Sequence, residues 1–158
     1  MVFKASLDNT AKYVTIGVVL LFIGITFGAP FFGMVNPIEI DILLVVVFGV
    51  TFLFAPQHYE LNPNELIIKR PLNRVIINRL EIKTVQQLEK GKLRWAIRTF
   101  GSGGFFGYFG TFWNKEFGNM TWYATKKDNA IMIVTTKNKK IIITPDDKDG
   151  FLGEFITQ

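Results

Sequence analysis

The sequence predicts two membrane-spanning α-helices folded as an N-terminal hairpin, then a small, basic, mainly-β domain that closes as a barrel or sandwich with a C-terminal helix. Three observations predict it. The longest apolar runs of this 158-residue chain gather in two blocks within the first 56 positions. From residue 57 onward the pattern changes to short runs of period-two alternation separated by turn residues. A proline-and-acid helix start then precedes an apolar face near the end of the chain.

Residues 1–12 read as an N-terminal tail. The first apolar block runs from Tyr13 to about Val35, and no charged residue falls between Lys12 and Glu39. About twenty helical residues cross a hydrocarbon core of roughly 30 Å. The second block, Ile38–Ala55, is shorter and reaches roughly 27 Å as a helix. A following domain of about 100 residues has too small a core to enclose both blocks. The spans are therefore about 13–35 and 38–55, within a hairpin of residues 13–56. A cleaved leader fits less well, because Gly28-Ala29-Pro30 lacks the small-x-small spacing of a cleavage site.

Between the blocks, Asn36-Pro37-Ile38-Glu39 reads as an N-cap, a proline at the first helical position and a carboxylate at N3. Glu39 and Asp41 both lie at this helix mouth, where the dipole favours negative charge. The link carries no basic residue, whereas Lys4 and Lys12 precede the first helix and many follow the second. The positive-inside rule then places both termini and the β domain on the cytoplasmic face of the cell membrane.

In residues 57–158 the strand candidates are Tyr59–Leu61, Glu65–Ile68, Arg74–Asn78, Thr84–Leu88, Leu93–Thr99, Thr111–Asn114, Met120–Thr125, Ala130–Thr135 and Lys140–Thr144. Asn62-Pro63-Asn64 is a turn. Lys127-Asp128-Asn129 and Lys137-Asn138-Lys139 supply polar turn chemistry for two further hairpins. Thr144-Pro145-Asp146-Asp147 reads as the start of the last helix, with Thr144 as cap and Pro145 at N1. Phe151, Leu152 and Phe155 then share one face that would pack on the barrel.

Composition narrows the function classes. The chain has no cysteine, which excludes disulfides, thiol catalysis and Cys-ligated zinc. The segment 57–158 holds 16 Lys or Arg against 10 Asp or Glu. A basic domain beside a bilayer is drawn to anionic headgroups by roughly 1 kcal/mol per basic residue near the surface. The lysines at turns, Lys126, Lys127, Lys137, Lys139 and Lys140, are the candidates for that contact. Their dispersal, with the membrane tether, speaks against nucleic acid as a partner.

The most unusual stretch is Arg98-Thr-Phe-Gly-Ser-Gly-Gly-Phe-Phe-Gly-Tyr-Phe-Gly-Thr-Phe-Trp. It is not a phosphate-cradling loop, since no Lys-Ser or Lys-Thr follows and the G-x-G-x-x-G spacing is missing. Two readings remain open. The glycines allow bulges and close backbone approach while the aromatics fill the barrel or pack beneath the membrane. Alternatively Arg98, Phe100, Gly101, Gly103, Gly104, Phe105, Phe106, Gly107, Tyr108 and Gly110 form an interaction surface for a partner or for the headgroup layer.

In order along the chain, Glu65-Leu-Ile-Ile-Lys, Leu80–Ile82, Arg98-x-Phe-Gly-x-Gly-Gly with Gly107 and Gly110, Tyr123-Ala-Thr, and Ile141–Pro145 with Asp146 resemble the bacterial pleckstrin-homology (PH) domain family, in the branch where membrane helices precede the domain. The resemblance covers roughly Tyr59 to Ile156. It implies a PH-like barrel of two packed antiparallel sheets closed at one corner by the C-terminal helix. Eukaryotic relatives of this fold often bind phosphoinositides through a basic first hairpin loop. That loop here is Asn62-Pro63-Asn64, without Lys or Arg.

The catalytic inventory is thin. His58 is the one histidine, and Ser6 and Ser102 lie in no nucleophile elbow. Asp146, Asp147 and Asp149 lack calcium-loop spacing, and Glu81 and Glu89 show no acid–base pairing. We therefore expect no enzyme, metal or cofactor. The expectation is a membrane-anchored module that binds a protein or peptide, or a second copy of itself, with anionic headgroup recognition as the alternative.

Overall fold

The computed structural model describes residues 1–33 and 37–157. The first helix, α1, spans Asn9–Gly28. It begins four residues ahead of the expected Tyr13, because Asp8 caps it: the Asp8 carboxylate accepts the Ala11 N–H at 2.7 Å. A 3₁₀ turn, Ala29–Phe32, follows and ends on Gly33 at φ 60°. The expected end of the first block at Val35 and the expected cap Asn36 lie outside the described residues. The second helix, α2, is Pro37–Phe54, with Glu39 in its first turn. Asp41 does more than face a dipole, since its carboxylate accepts the Thr26 hydroxyl of α1 at 2.7 Å. The expected hairpin of two spans is corrected to one: among the described residues one helix, α1, is long and apolar enough to cross a membrane.

The rest is mainly β, with two sheets and a C-terminal helix. The first sheet joins β1 (Val2–Lys4), β2 (His58–Leu61), β3 (Glu65–Lys69) and β4 (Arg74–Asn78) in that order, all antiparallel. Residues 2–4, expected in a tail, thus belong to the β domain, with Phe3 opposite Tyr59. The Asn62–Asn64 turn is closed by the Asn62 N–H on the Glu65 carbonyl at 2.9 Å.

The second sheet contains β5 (Ile82–Gln87), β6 (Ile97–Gly104), β7 (Gly107–Asn114), β8 (Gly118–Ala124), β9 (Ile131–Thr135) and β10 (Lys140–Ile143), in the order β5-β9-β10-β8-β7-β6. Two expectations are corrected here. The hairpin expected at Lys127-Asp128-Asn129 does not form, although Asn129 does adopt the left-handed turn conformation at φ 57°. The β9–β10 hairpin inserts between β5 and β8, so β8 and β9 are not neighbours. As a consequence β10 runs parallel to β8, and the sheet is mixed rather than antiparallel. The second turn, at Lys137–Lys139, is a true hairpin with Asn138 at φ 59°.

The last helix, α3, is Lys148–Thr157, and its start is also corrected. Asp147 caps it, accepting the Gly150 N–H at 2.9 Å. Thr144 is instead buried inside the barrel, where its hydroxyl accepts the Thr125 N–H at 2.9 Å. Its own N–H donates to the Tyr59 hydroxyl, which in turn donates to the Tyr123 carbonyl at 2.6 Å. Burial pushes the Tyr59 pKa up to about 12, so this relay keeps its proton at any ordinary pH.

Two apolar cores flank the second sheet. Between the sheets lie Tyr59, Leu66, Ile68, Ile133, Ile143 and Phe151 of α3, with the Phe3 and Phe151 rings edge-to-face at 5.2 Å. On the opposite side lie Tyr108, Phe112, Trp122, Met132 and Ile142, joined by Leu88 and Leu93 from the β5–β6 connection and by Ala11 of α1. With both faces of the sheet covered, β9 and β10 read as nearly continuous apolar runs instead of alternating ones.

Candidate functional site

The glycine-aromatic segment forms the β6–β7 hairpin, and its glycines lie mostly within the strands. Gly101 pairs with Gly110 across the ladder, at φ 100° and 117°. A Cβ on Gly101 would collide with the Phe109 carbonyl oxygen, and one on Gly110 with that of Phe100. Only glycine fits either place. Gly104 and Gly107 pair at the end of the hairpin, leaving Phe105 and Phe106 as a two-residue turn.

That turn is wedged against the helices. Phe105 meets Phe22 of α1 and Phe48 of α2, with ring centroids 6.2 and 6.0 Å away. Phe106 meets Phe48 and Phe52 at 5.0 and 5.5 Å. The Phe106 N–H donates to the Thr15 hydroxyl of α1 at 3.0 Å. Ser102, beside the turn, donates its hydroxyl to the carbonyls of Phe105 and Gly107. It is buried and committed to the hairpin.

The ten residues proposed as one surface therefore divide. Gly104, Phe105, Phe106, Gly107 and Tyr108 face the helices or a core. The Tyr108 hydroxyl donates to Asp8 at 3.2 Å, and burial first, with the Asp8 charge beside it, raises its pKa well above the ordinary tyrosine range. Gly103 lies under the Arg98 side chain, and Arg98 donates to the Gly101 carbonyl at 3.1 Å. Phe100 alone of the aromatics in that set is open, at 76% exposure.

Sequence reasoning missed the neighbours of Phe100. Trp95, Ile97 and Trp113 are also exposed, and Ile97 stands directly opposite Trp113 in the ladder. All lie at or beside β6, the last strand of its sheet. The i, i+2 spacing of Trp95 and Ile97 is visible in the sequence, but the open side of β6 is not.

A cavity of about 680 Å³ opens between α2 and this hairpin. Its walls include Val47, Val50 and Phe54 of α2, Phe100 and Phe109 of the hairpin, and Tyr123 of β8. Among the described residues two arginines, Arg70 and Arg98, line it, and no acidic residue does. The Arg70 guanidinium lies 5.4 Å from the Phe54 and Tyr123 rings, and its buried Nε–H has no acceptor.

The candidate headgroup lysines fall at opposite ends of the barrel. At the helix end, Lys126 pairs with Asp146, while the Lys127 ammonium sits over the Tyr108 ring and its N–H donates to Asp8. Burial works to raise the Asp146 pKa, but hydrogen bonds from Lys126 and Ser6 hold it below the ordinary carboxylate value. At the far end, Lys137 and Lys139 are exposed in the β9–β10 turn, and Lys140 donates to the Phe117 carbonyl. His58 is in β2, its Nε2 3.2 Å from Glu60, which also meets Lys69. Among the described residues no group of three His, Cys, Asp or Glu could hold a metal ion.

No curated protein and no solved structure shows significant similarity to the chain. The sequence pattern of the bacterial PH domain matches residues 57–157, well over half of its length. The two sheets, the closing helix α3 and that match agree, and the chain belongs to the bacterial PH domain family.

Proposed function

We propose that the protein is a membrane-anchored, non-enzymatic binding module that adds a strand from a protein or peptide partner to the outer edge of β6. The observation that carries this reading is that edge itself. It is eight residues long, has a strand neighbour on one side only among the described residues, meets α1 only at its Gly104 end, and is bordered along its open part by exposed Trp95, Ile97 and Phe100. Unpaired N–H and C=O groups of an edge strand template another chain, and soluble proteins usually guard such edges with charge. Here only Arg98 does so within the strand.

Anchoring is read from α1 and from α2 as its return span. Ile42, Leu43, Val45, Val46 and Val50 of α2 all present apolar side chains outward, as a helix in lipid does. Basic flanks put both termini and the β domain on the cytoplasmic face. The committed hydroxyl of Ser102 and a His58 whose Nε2 is taken up by Glu60 support a binding role over a catalytic one.

A photo-cross-linking residue placed at Ile97 tests this in native membranes, with a second at exposed Leu80 as control. We expect a discrete adduct from position 97 that Phe100→Lys abolishes. An adduct with a second copy of the chain would identify self-pairing as the form of the interaction. Equal, diffuse labelling from both positions would sink the reading.

A further inference from the structure

The cavity between α2 and the hairpin has features that a peptide strand on β6 would not use. Arg70 ends the β2–β3 hairpin on the side of the helices, after the Lys69 that pairs with His58. A buried guanidinium N–H without an acceptor is costly, and charge-assisted bonds to phosphate are the strong way to satisfy it. Among the described residues no carboxylate pairs with Arg70, and none lines the cavity. The rest of the wall is mostly apolar, with Arg98, Thr51, Ser102 and Thr121 as its polar members, and it continues along α2 through Val47, Val50 and Phe54.

We propose that this cavity holds one anionic glycerophospholipid of the cytoplasmic leaflet, its phosphate on Arg70 and its upper acyl chain along Val47 and Val50. The proposal rests on the reading that α2 lies in the bilayer. A volume of 680 Å³ falls within the roughly 300–1,000 Å³ of small-molecule sites. That is room for phosphate, glycerol and the first part of a chain, with the remainder lying against α2 in the membrane. Arg70 stands at the cytoplasmic end of α2, near Phe54, which is headgroup depth for a helix of this direction. Phe100 lines the cavity while 76% exposed, so it forms the rim. The site is remote from the Asn62–Asn64 loop, which lies at the other end of β2 and β3.

The test uses the full chain in nanodiscs of phosphatidylcholine doped with a phosphatidylglycerol that carries a photoactivatable acyl chain. Cross-linked peptides are mapped by mass spectrometry. We expect label on Val47–Phe54 and on residues 98–110. Arg70→Gln should lower it about tenfold, as loss of a charge-assisted hydrogen bond implies. Arg74→Gln, at an exposed arginine outside the cavity, should leave it unchanged. Val50→Trp, which fills the space and keeps Arg70, should also lower it, with circular dichroism showing the fold intact.

Label spread evenly around α1 and α2, or an Arg70→Gln variant labelled like the wild type, would overturn the proposal. So would equal labelling by the matching phosphatidylcholine probe. Alkaline carbonate separates the two readings. A chain washed off the membrane defeats the anchoring itself, whereas a retained chain with an unlabelled cavity defeats this inference alone.

Discussion

The two ends of one hairpin have nearly the same composition and opposite fates. At the turn, Phe105 and Phe106 are enclosed by three phenylalanines of the two helices. At the base, Ile97 and Phe100 stand open on the edge strand, with exposed Trp113 beside them on β7. Glycine lies between them, and the Gly101–Gly110 pair marks the change. Aromatic content does not say which ring is structural and which is available. What decides is whether another element reaches that part of the strand.

The largest expected effect tests the divide itself. Gly101→Val places a branched side chain at φ 100° against the Phe109 carbonyl. Strain and collision together should cost about 3 kcal/mol or more in thermal unfolding of the detergent-solubilised protein. Gly103→Ala, whose Cβ would meet only the flexible Arg98 side chain at 3.5 Å, should change stability by less than about 1 kcal/mol. Equal losses would mean that the two glycines are not distinct in role.

Smaller is the difference between rings. Phe106→Ala removes contacts with Phe48 and Phe52 and should destabilise by about 1–3 kcal/mol. Phe100→Ala, at the open base, should stay within about 0.5 kcal/mol. A reversal in the same melting experiment would make the base the structural end.

The smallest effect concerns the socket for the turn. Asp146 accepts from the Ser6 N–H and hydroxyl and from Lys126, fixing the strand that leads into α1. Its folded pKa is depressed below the ordinary 3.8. The stabilisation is therefore fully present above that value and lost as pH falls through the lower, folded one. Hydrogen exchange at acid pH should show the amides around Phe106 losing protection before those of Ile141 and Ile142, which are paired on both sides in β10. Asp146→Asn, which cannot titrate, should abolish that order.

Much of this was legible in local sequence. Alternation and turn residues located most strands, and Phe151 and Phe155 showed the buried face of α3. The start of α1 is written in Asp8-Asn9-Thr10, a capping signal that precedes the charge-free block and lengthens the helix beyond it. Thr144 was misread because its hydroxyl satisfies buried N–H groups of Thr125 and Lys126 instead of its own helix. A capping signal and a buried tertiary bond use the same residue type. Strand order was not legible, since nothing local to residues 131–143 says that the pair will insert between β5 and β8. The cavity was hidden for the same reason, as Arg70 and Phe109 lie far apart in the chain.

The wedged turn also has a mechanical consequence. A β-strand is stiff along its length, and the seven steps from Ile97 to Gly104 span about 23 Å. Any load applied at the open base is carried by the ladder to Phe106 and delivered sideways into α1 and α2. Because β7 is bonded to β8 from Tyr108 to Asn114, the hairpin shifts only with its sheet, and the sheet and the two helices are mechanically joined at Phe105 and Phe106.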